Sequence, residues 1–117
     1  MALHSPSCDD FATPIRFDID EVIVEVRGEL DAATAPMLEE VLDQLMAEGA
    51  RRVAVDLSEA SFVDSTGLGA LLSAHRHMQA HRGRLVLRDP LPATRRLIEL
   101  TALDRVFRDR GTKGEPA

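Results

Sequence analysis

Strand-like and helix-like segments alternate along this chain, and one junction between them constrains the fold most. Residues 53–57 (VAVDL) form a short apolar run with β-branched side chains, which is typical of a buried strand. Residues 66–82 then carry apolar side chains at helical spacing, up to a break near Gly83. The segment between these two must turn a strand into a helix. Such units, repeated along a chain, favour a mostly parallel sheet joined by right-handed crossovers.

A hairpin is expected before this alternation begins. Ile15, Phe17 and Ile19 alternate with polar residues, which predicts a half-buried strand. Residues 20–21 make a turn, and residues 22–26 (VIVEV) form a second strand. Because the turn is so short, the two strands are expected to be antiparallel. The predicted fold class is therefore α/β, with a small, mixed, mostly parallel sheet.

Three helices and two further strands complete the expected elements. The first helix has Thr34 as a plausible N-cap and Gly49 as its terminator. Its apolar face consists of four residues, Leu38, Val41, Leu42 and Leu45. Residues 85–87 predict a strand, and Pro92 opens a last helix. That helix is expected to bury Leu97, Ile98 and Leu100, and residues 106–107 predict a short final strand.

Length and composition indicate one small domain. The 117 residues suffice for a single core, with a flexible leader over residues 1–13, the domain over residues 14–110 and a flexible tail over residues 111–117. The 20 acidic and 14 basic residues give a formal net charge of −6, which argues against nucleic-acid binding. The single cysteine, Cys8, fits a reducing compartment. With no signal peptide or membrane-spanning stretch evident, a cytoplasmic location without membrane insertion is expected.

Two connecting segments, residues 28–34 and 58–66, form the candidate site. In open α/β sheets, ligands and partners meet the loops that follow the carboxyl ends of the strands. If the strands before these loops are neighbours, Asp31 and Ser65 share one surface. Ser65 is expected at or just before the first residue of its helix, where unpaired N–H groups and the helix dipole favour an anion. A serine there is a place where an anion can be attached.

Enzyme interpretations are weaker. A hydrolase with Ser65 as nucleophile needs a base within hydrogen-bond reach, and the Gly-x-Ser-x-Gly motif is absent. Residues 67–69 (GLG) lack the third glycine of a dinucleotide fingerprint, so no cofactor is expected. His77 and His81 have metal-ligand spacing without an evident third ligand, which favours a solvated helix face and no metal site. His75 lies on the apolar stripe and is expected to be a hydrogen-bonded core or boundary residue.

Several motifs occur in the order found in one protein family. They are residues 28–31 (GELD), 56–58 (DLS), 62–72 (FVDSTGLGALL) and 101–104 (TALD). Over roughly residues 12–108, the chain resembles the bacterial anti-sigma factor antagonists, which are members of the STAS domain family. The resemblance implies a small mixed sheet with helices packed mainly on one face, and a protein switch rather than an enzyme.

The resemblance also implies partners and site residues. In this family, an anti-sigma factor that is also a serine kinase phosphorylates the antagonist, and a serine phosphatase reverses the modification. The unmodified antagonist binds the anti-sigma factor and frees the sigma factor to direct transcription. The family's phosphoserine matches Ser65. The predicted partner-binding residues lie in the two connecting segments: Gly28, Glu29, Asp31, Asp64, Ser65, Thr66, Gly67 and Leu68.

Structural interpretations of the same side chains stay open. Ser65 can be no more than an N-cap, Asp64 can be a cap or turn residue, and Thr66 is a rival hydroxyl. Asp31 can be a turn residue ahead of the first helix. For the whole protein, the alternative is a binding module of the same fold that never meets a kinase. Such a module would act as a subunit of a larger signalling or transport assembly.

Overall fold

The computed structural model of the protein describes residues 11–107, which form one sheet with helices on one face. The elements, in chain order, are β1 (Ile15–Phe17), β2 (Val22–Leu30), α1 (Ala35–Ala47), β3 (Arg52–Val63), α2 (Ser65–Ala80), β4 (Arg84–Arg88), α3 (Pro92–Leu100) and a 3₁₀ turn (Leu103–Arg105). Within this part of the chain, no helix is long and apolar enough to cross a membrane.

The four strands follow one another across the sheet in the order β1-β2-β3-β4. β1 pairs antiparallel with β2, so that Ile15 lies opposite Val24. β2, β3 and β4 are parallel neighbours, with Val24 opposite Val55 and Val55 opposite Leu87. The predicted α/β fold, a mixed and mostly parallel sheet that starts with a hairpin, is confirmed.

Alternate residues of the strands separate the two faces of the sheet. The main core joins strand residues such as Val24 and Val55 to helix residues such as Leu38 and Leu71. A second, smaller cluster lies on the opposite face and consists of Ile23, Ala54 and Val86. Because the helices contribute only to the main core, they pack on one face of the sheet, as the family resemblance implied.

The first helix follows its predicted pattern. Leu38, Leu42 and Leu45 are buried and form one apolar face. Gly49 has a φ of 97°, a left-handed conformation that glycine adopts without a Cβ penalty. Gly49 therefore ends the helical segment as expected, and β3 begins three residues later.

Both central strands are longer than the sequence pattern indicated. β2 ends at Leu30 and β3 at Val63, beyond the strand ends predicted at residues 26 and 57. The pairing between them shifts register twice along β2. Such bulges interrupt the period-two alternation by which a strand is recognised in a sequence. The predicted loop over residues 58–66 is therefore strand up to Val63, and the one over residues 28–34 is strand up to Leu30.

The first strand is more exposed than predicted. Ile15 and Phe17 are 42% and 74% exposed, and Ile19 lies beyond the strand and is 93% exposed. β1 is the outer strand of the sheet, beyond the helix that crosses from β2 to β3. The prediction of a half-buried strand is wrong, because alternation distinguishes two faces of a strand but not whether a helix covers either one.

The end of the domain also differs from expectation. Residues 106–107 are not a strand, because they follow the 3₁₀ turn directly, and Phe107 is buried. In α3, Ile98 is buried and Leu97 is half-buried, but Leu100 is 77% exposed. A short apolar pair can be buried in an irregular segment as well as in a strand, and periodicity alone does not distinguish the two.

At the other end, the packed chain starts before residue 14, where the domain was predicted to begin. Phe11 is buried, and Ala12 and Arg27 exchange two backbone hydrogen bonds of 3.0 and 2.9 Å. The remainder of the predicted leader, including Cys8, and the predicted tail over residues 111–117 lie outside the described residues.

Candidate functional site

The turns that follow β2 and β3 lie side by side. Leu30 is opposite Val63 in the parallel ladder, at the last pair before both strands end. The Asp64 N–H donates to the Leu30 carbonyl oxygen over 3.2 Å. Asp31 and Asp64, the next residues of each strand, therefore stand at one edge of the sheet. This confirms the predicted juxtaposition of the two segments, whereas their contact with a partner stays a prediction.

Asp64 caps the helix that carries Ser65. The Asp64 backbone is extended, with a φ of −103° and a ψ of −176°. Its Oδ1 accepts the Gly67 N–H over 2.9 Å, and its carbonyl oxygen accepts the Leu68 N–H over 2.9 Å. The cap interpretation of Asp64 is confirmed, and the interpretation of Ser65 as the N-cap is wrong. Residues 64–67 are called the Ser65 turn below.

Ser65 is the first residue of α2 and is exposed. Within residues 11–107, its hydroxyl takes part in no hydrogen bond. The hydroxyl is therefore released from a capping role and stands at the positive end of the helix dipole, where attached negative charge is stabilised. Thr66, the rival hydroxyl, is exposed at the second position of the same helix.

Asp31 organises the turn that starts α1. Its Oδ1 accepts the Ala33 N–H over 3.0 Å and the Thr34 N–H over 3.2 Å. Thr34 occupies the N-cap position but makes no side-chain cap. Its fully buried hydroxyl instead donates to the Glu29 carbonyl oxygen over 2.6 Å. The expected Thr34 cap is therefore wrong in its chemistry, because Asp31 supplies the acceptor, and the turn interpretation of Asp31 is confirmed.

Gly67 permits α2 to approach β2 closely. A Cβ at Gly67 would lie 2.6 Å from the Leu30 carbonyl oxygen and 2.7 Å from the Leu30 Cγ. Gly67 is itself buried, and Leu68 is 1% exposed as part of the main core. Both residues hold the Ser65 turn against β2, and their predicted contact with a partner stays a prediction.

The end of the β2–β3 ladder carries one residue that the sequence interpretation missed. Phe62 lies opposite Glu29, and both are exposed, with Phe62 at 50%. Gly28, the residue before Glu29, has a φ of 100° at the register shift. Because residues 58–66 were expected to form a loop, the orientation of Phe62 was not deduced. The sequence did indicate that an aromatic residue lies three positions before Ser65, close to the candidate site.

His75 is a core residue, as expected. It is 5% exposed, its Nδ1 accepts the Leu85 N–H over 3.4 Å, and its ring centre lies 5.5 Å from that of Phe107. Burial lowers the pKa of His75 below the ordinary 6.5, and the positive charge of Arg84 lowers it further. The neutral imidazole is therefore the form that this site stabilises.

His77 and His81 line a cavity of about 220 Å³ between the ends of α1 and α2. The His81 Nδ1 lies 3.0 Å from the His77 carbonyl oxygen. Since a carbonyl oxygen only accepts hydrogen bonds, Nδ1 is the protonated nitrogen. No three His, Cys, Asp or Glu side chains among residues 11–107 converge as metal ligands.

The same helix weighs against a hydrolase that uses Ser65. His75, His77 and His81 all lie on or beside α2, at least ten residues after Ser65. With a rise of about 1.5 Å per residue, the nearest of them is about 15 Å along the helix axis from the serine. None of these three described histidines can serve as its general base.

Comparisons with known proteins identify the family of the chain. The STAS domain model matches residues 11–115, so the chain belongs to the STAS domain family. Among its relatives is the anti-sigma-B factor antagonist of Listeria monocytogenes, which is 34% identical over 98 residues, or 84% of this chain and 86% of that protein.

Two solved structures share the fold. An anti-sigma factor antagonist from Mycobacterium paratuberculosis has a TM-score of 0.80 and 32% identity, and the match covers 95% of this chain and 92% of that one. The Bacillus cell fate determinant SpoIIAA in its phosphorylated form has a TM-score of 0.67 and 25% identity, and the match covers 89% of this chain and 95% of that one.

Proposed function

We propose that this protein is an anti-sigma factor antagonist that is switched by phosphorylation at Ser65. The unmodified protein binds an anti-sigma factor with serine kinase activity in the cytoplasm and so releases a sigma factor. The kinase modifies Ser65 and ends the interaction, and a serine phosphatase restores it. The observation that carries the proposal is the exposed Ser65 hydroxyl at the start of α2, beside a carboxylate that already caps the helix. The phosphorylated relative supports it.

Electrostatics indicates how such a switch works. A phosphoserine adds about −1.5 to −2 charge and three acceptor oxygens. At the N-terminus of α2 that charge meets a favourable dipole and solvent, so the domain stays folded despite the nearby Asp64. A partner that covers the Ser65 turn removes this solvent. A mispaired charge buried there costs on the order of 4 kcal/mol, which is roughly a thousandfold in affinity.

The central test compares two hydroxyls. Wild type, Ser65→Ala and Thr66→Ala are incubated with the purified anti-sigma factor kinase and ATP, and phosphate uptake is measured. We expect Thr66→Ala to be modified like wild type and Ser65→Ala to remain unmodified. Phosphate uptake by Ser65→Ala at the wild-type level would show that Ser65 is not the phosphorylated residue. A native protein that carries no phosphate in any growth condition would favour the non-phosphorylated binding subunit instead.

Calorimetric titrations and thermal melts then test the mechanism. Ser65→Ala should bind the anti-sigma factor like the unmodified protein, and Ser65→Asp should bind less tightly because it carries part of the phosphate charge. The phosphoprotein should lose about a thousandfold in affinity and keep its melting temperature or gain slightly. A phosphoprotein without a cooperative melt would show that the switch acts by unfolding, contrary to this account.

A further inference from the structure

A half-exposed aromatic ring stands next to the Ser65 turn. Phe62 is 50% exposed, whereas Val63 belongs to the main core on the helical face. Because successive strand residues point to opposite faces, the Phe62 side chain lies on the face without helices. Glu29, its neighbour across the ladder, is exposed as well. The ring therefore lies at an accessible corner of the sheet, where β3 ends.

The ring lies within the footprint of a partner that covers Ser65. The two positions are three residues apart along the chain, so their Cα atoms are no more than about 11 Å apart. A standard protein interface covers about 800 Å² on each partner, which is roughly 30 Å across. A contact of this size that is centred on Ser65 therefore reaches the corner that carries Phe62.

We infer that Phe62 is the apolar anchor of the partner-binding surface and that the anti-sigma factor presents an apolar pocket for its ring. The inference rests on the function proposed above. Aromatic side chains that become fully buried on association supply much of the binding energy of protein interfaces. An apolar pocket over Phe62 also excludes water beside Ser65, so a phosphate there loses its hydration without gaining a partner. Burial of the Phe62 ring thereby increases the loss of affinity that phosphorylation of Ser65 causes.

Phe17 offers a matched control in the same chain. It is 74% exposed and lies opposite Val22, at the start of β2. Leu30 is eight residues after Val22, which places Phe17 about 26 Å along the strand from the Ser65 turn. An interface of standard size centred on Ser65 extends only about 16 Å from its centre. Phe17 is therefore an exposed phenylalanine outside the proposed contact.

The experiment titrates the purified anti-sigma factor kinase into wild type, Phe62→Ala and Phe17→Ala, with thermal melts of all three proteins. We expect Phe62→Ala to bind at least thirtyfold more weakly, equivalent to about 2 kcal/mol. Phe17→Ala should bind within threefold of wild type. Equal affinities of Phe62→Ala and Phe17→Ala for the kinase would show that Phe62 is not the apolar anchor. Because both rings are largely exposed, both variants are expected to melt as cooperatively as wild type.

A second measurement follows the ring itself and does not depend on truncation. The chain contains no tryptophan, so Phe62→Trp and Phe17→Trp each introduce a single one. Both variants are produced with fluorotryptophan and the kinase without it, so that every fluorine signal comes from the antagonist. On addition of the kinase, the fluorine resonance at position 62 should shift and become protected from solvent, and that at position 17 should stay unchanged. A solvent-accessible ring at position 62 in the complex contradicts the inference.

Failure of the anchor and failure of the proposed function give different results. If unmodified wild type binds, the phosphoprotein does not, and Phe62→Ala binds like wild type, then the anchor alone is wrong. If wild type does not bind the anti-sigma factor, the proposed function is wrong and the anchor falls with it.

Discussion

The two ends of the parallel strands differ in charge. The end that carries Ser65, residues 28–34 and 58–66, is called the switch end after the function proposed above. It contains four carboxylates and neither Lys nor Arg. The opposite end, residues 18–21, 49–52 and 81–84, contains four arginines and three carboxylates. The basic side chains of these connecting segments thus all lie at the opposite end. A phosphate at Ser65 adds negative charge to segments that contain no Lys or Arg, and the nearby Arg27 already pairs with Glu25 and Glu59, so under the proposed function its effect falls on the partner.

The two ends also differ in packing. At the switch end, α2 contacts β2 so closely that Gly67 leaves no room for a Cβ beside the Leu30 carbonyl oxygen. At the opposite end, α2 finishes beside the cavity of about 220 Å³, which Gly83 and Arg51 also line. The Ser65 turn is therefore preformed in the unmodified protein, whereas the other end of the same helix borders a cavity.

Gly67→Ala should have the largest effect of any single change at the switch end. Its Cβ would lie 2.6 Å from the Leu30 carbonyl oxygen, so α2 must move away from β2. We expect the free energy of unfolding, measured with urea, to fall by about 3 kcal/mol. Gly69→Ala is the control, because its Cβ meets nothing within 4 Å. It should be neutral or stabilise by up to about 1 kcal/mol.

Gly83→Ala tests how tightly the chain packs at the opposite end of the strands. A Cβ there would lie 2.8 Å from the Arg51 carbonyl oxygen, beside the cavity. We expect a loss of about 1–2 kcal/mol, smaller than for Gly67→Ala because adjacent space absorbs part of the shift. A loss as large as that of Gly67→Ala would break the proposed difference in packing.

Asp31 allows the structural and the partner-binding roles of the switch end to be separated. Asp31→Ala removes the acceptor of the Ala33 and Thr34 N–H groups and should cost about 1 kcal/mol of unfolding free energy. Asp31→Asn keeps an acceptor oxygen without the charge, so its stability should stay within about 0.5 kcal/mol of wild type. If the carboxylate meets a basic group, Asp31→Asn should still bind the anti-sigma factor about tenfold more weakly. An unchanged dissociation constant would remove Asp31 from the interface.

The smallest effect expected is a pH dependence through His75. Its pKa is lowered in the folded state, mainly by burial, so the unfolded chain binds the proton more tightly. Stability should therefore be fully present above the unfolded pKa of 6.5 and should fall as the pH drops below that value. Urea unfolding of wild type and His75→Asn at several pH values measures this slope. The variant should show a shallower decline, and an identical decline would exclude His75 as its source.

The alternation of strands and helices was sufficient to predict the architecture and the position of Ser65 at the start of a helix. Residues 53–57 and the helical stripe after them predicted the strand-to-helix turn that carries Ser65, whereas the pairing of β2 with β3 was left as a condition that the structure meets. These features depend on local periodicity and on the handedness of parallel connections, which the amino-acid sequence carries directly.

The missed features depend on contacts distant in the sequence. The bulges that lengthen β2 and β3 are set by pairing between the strands, so Phe62 was assigned to a loop. The Thr34 hydroxyl does not cap α1 because it donates to the Glu29 carbonyl oxygen, and the Asp31 carboxylate accepts N–H groups of the turn before the helix. The exposure of Phe17 reflects an edge strand without a covering helix, which no pattern within that strand can indicate.

The two halves of β3 are secured differently. Its first half, up to Asp56 opposite Arg88, is paired with both β2 and β4, whereas the half that ends at Val63 is paired with β2 alone. Beyond Asp56, β3 has no strand on its other side among residues 11–107, while Ala60 and Val63 stay packed in the main core. An enzyme that modifies Ser65, as proposed above, can therefore reach the serine without displacing a neighbouring strand or unfolding the domain.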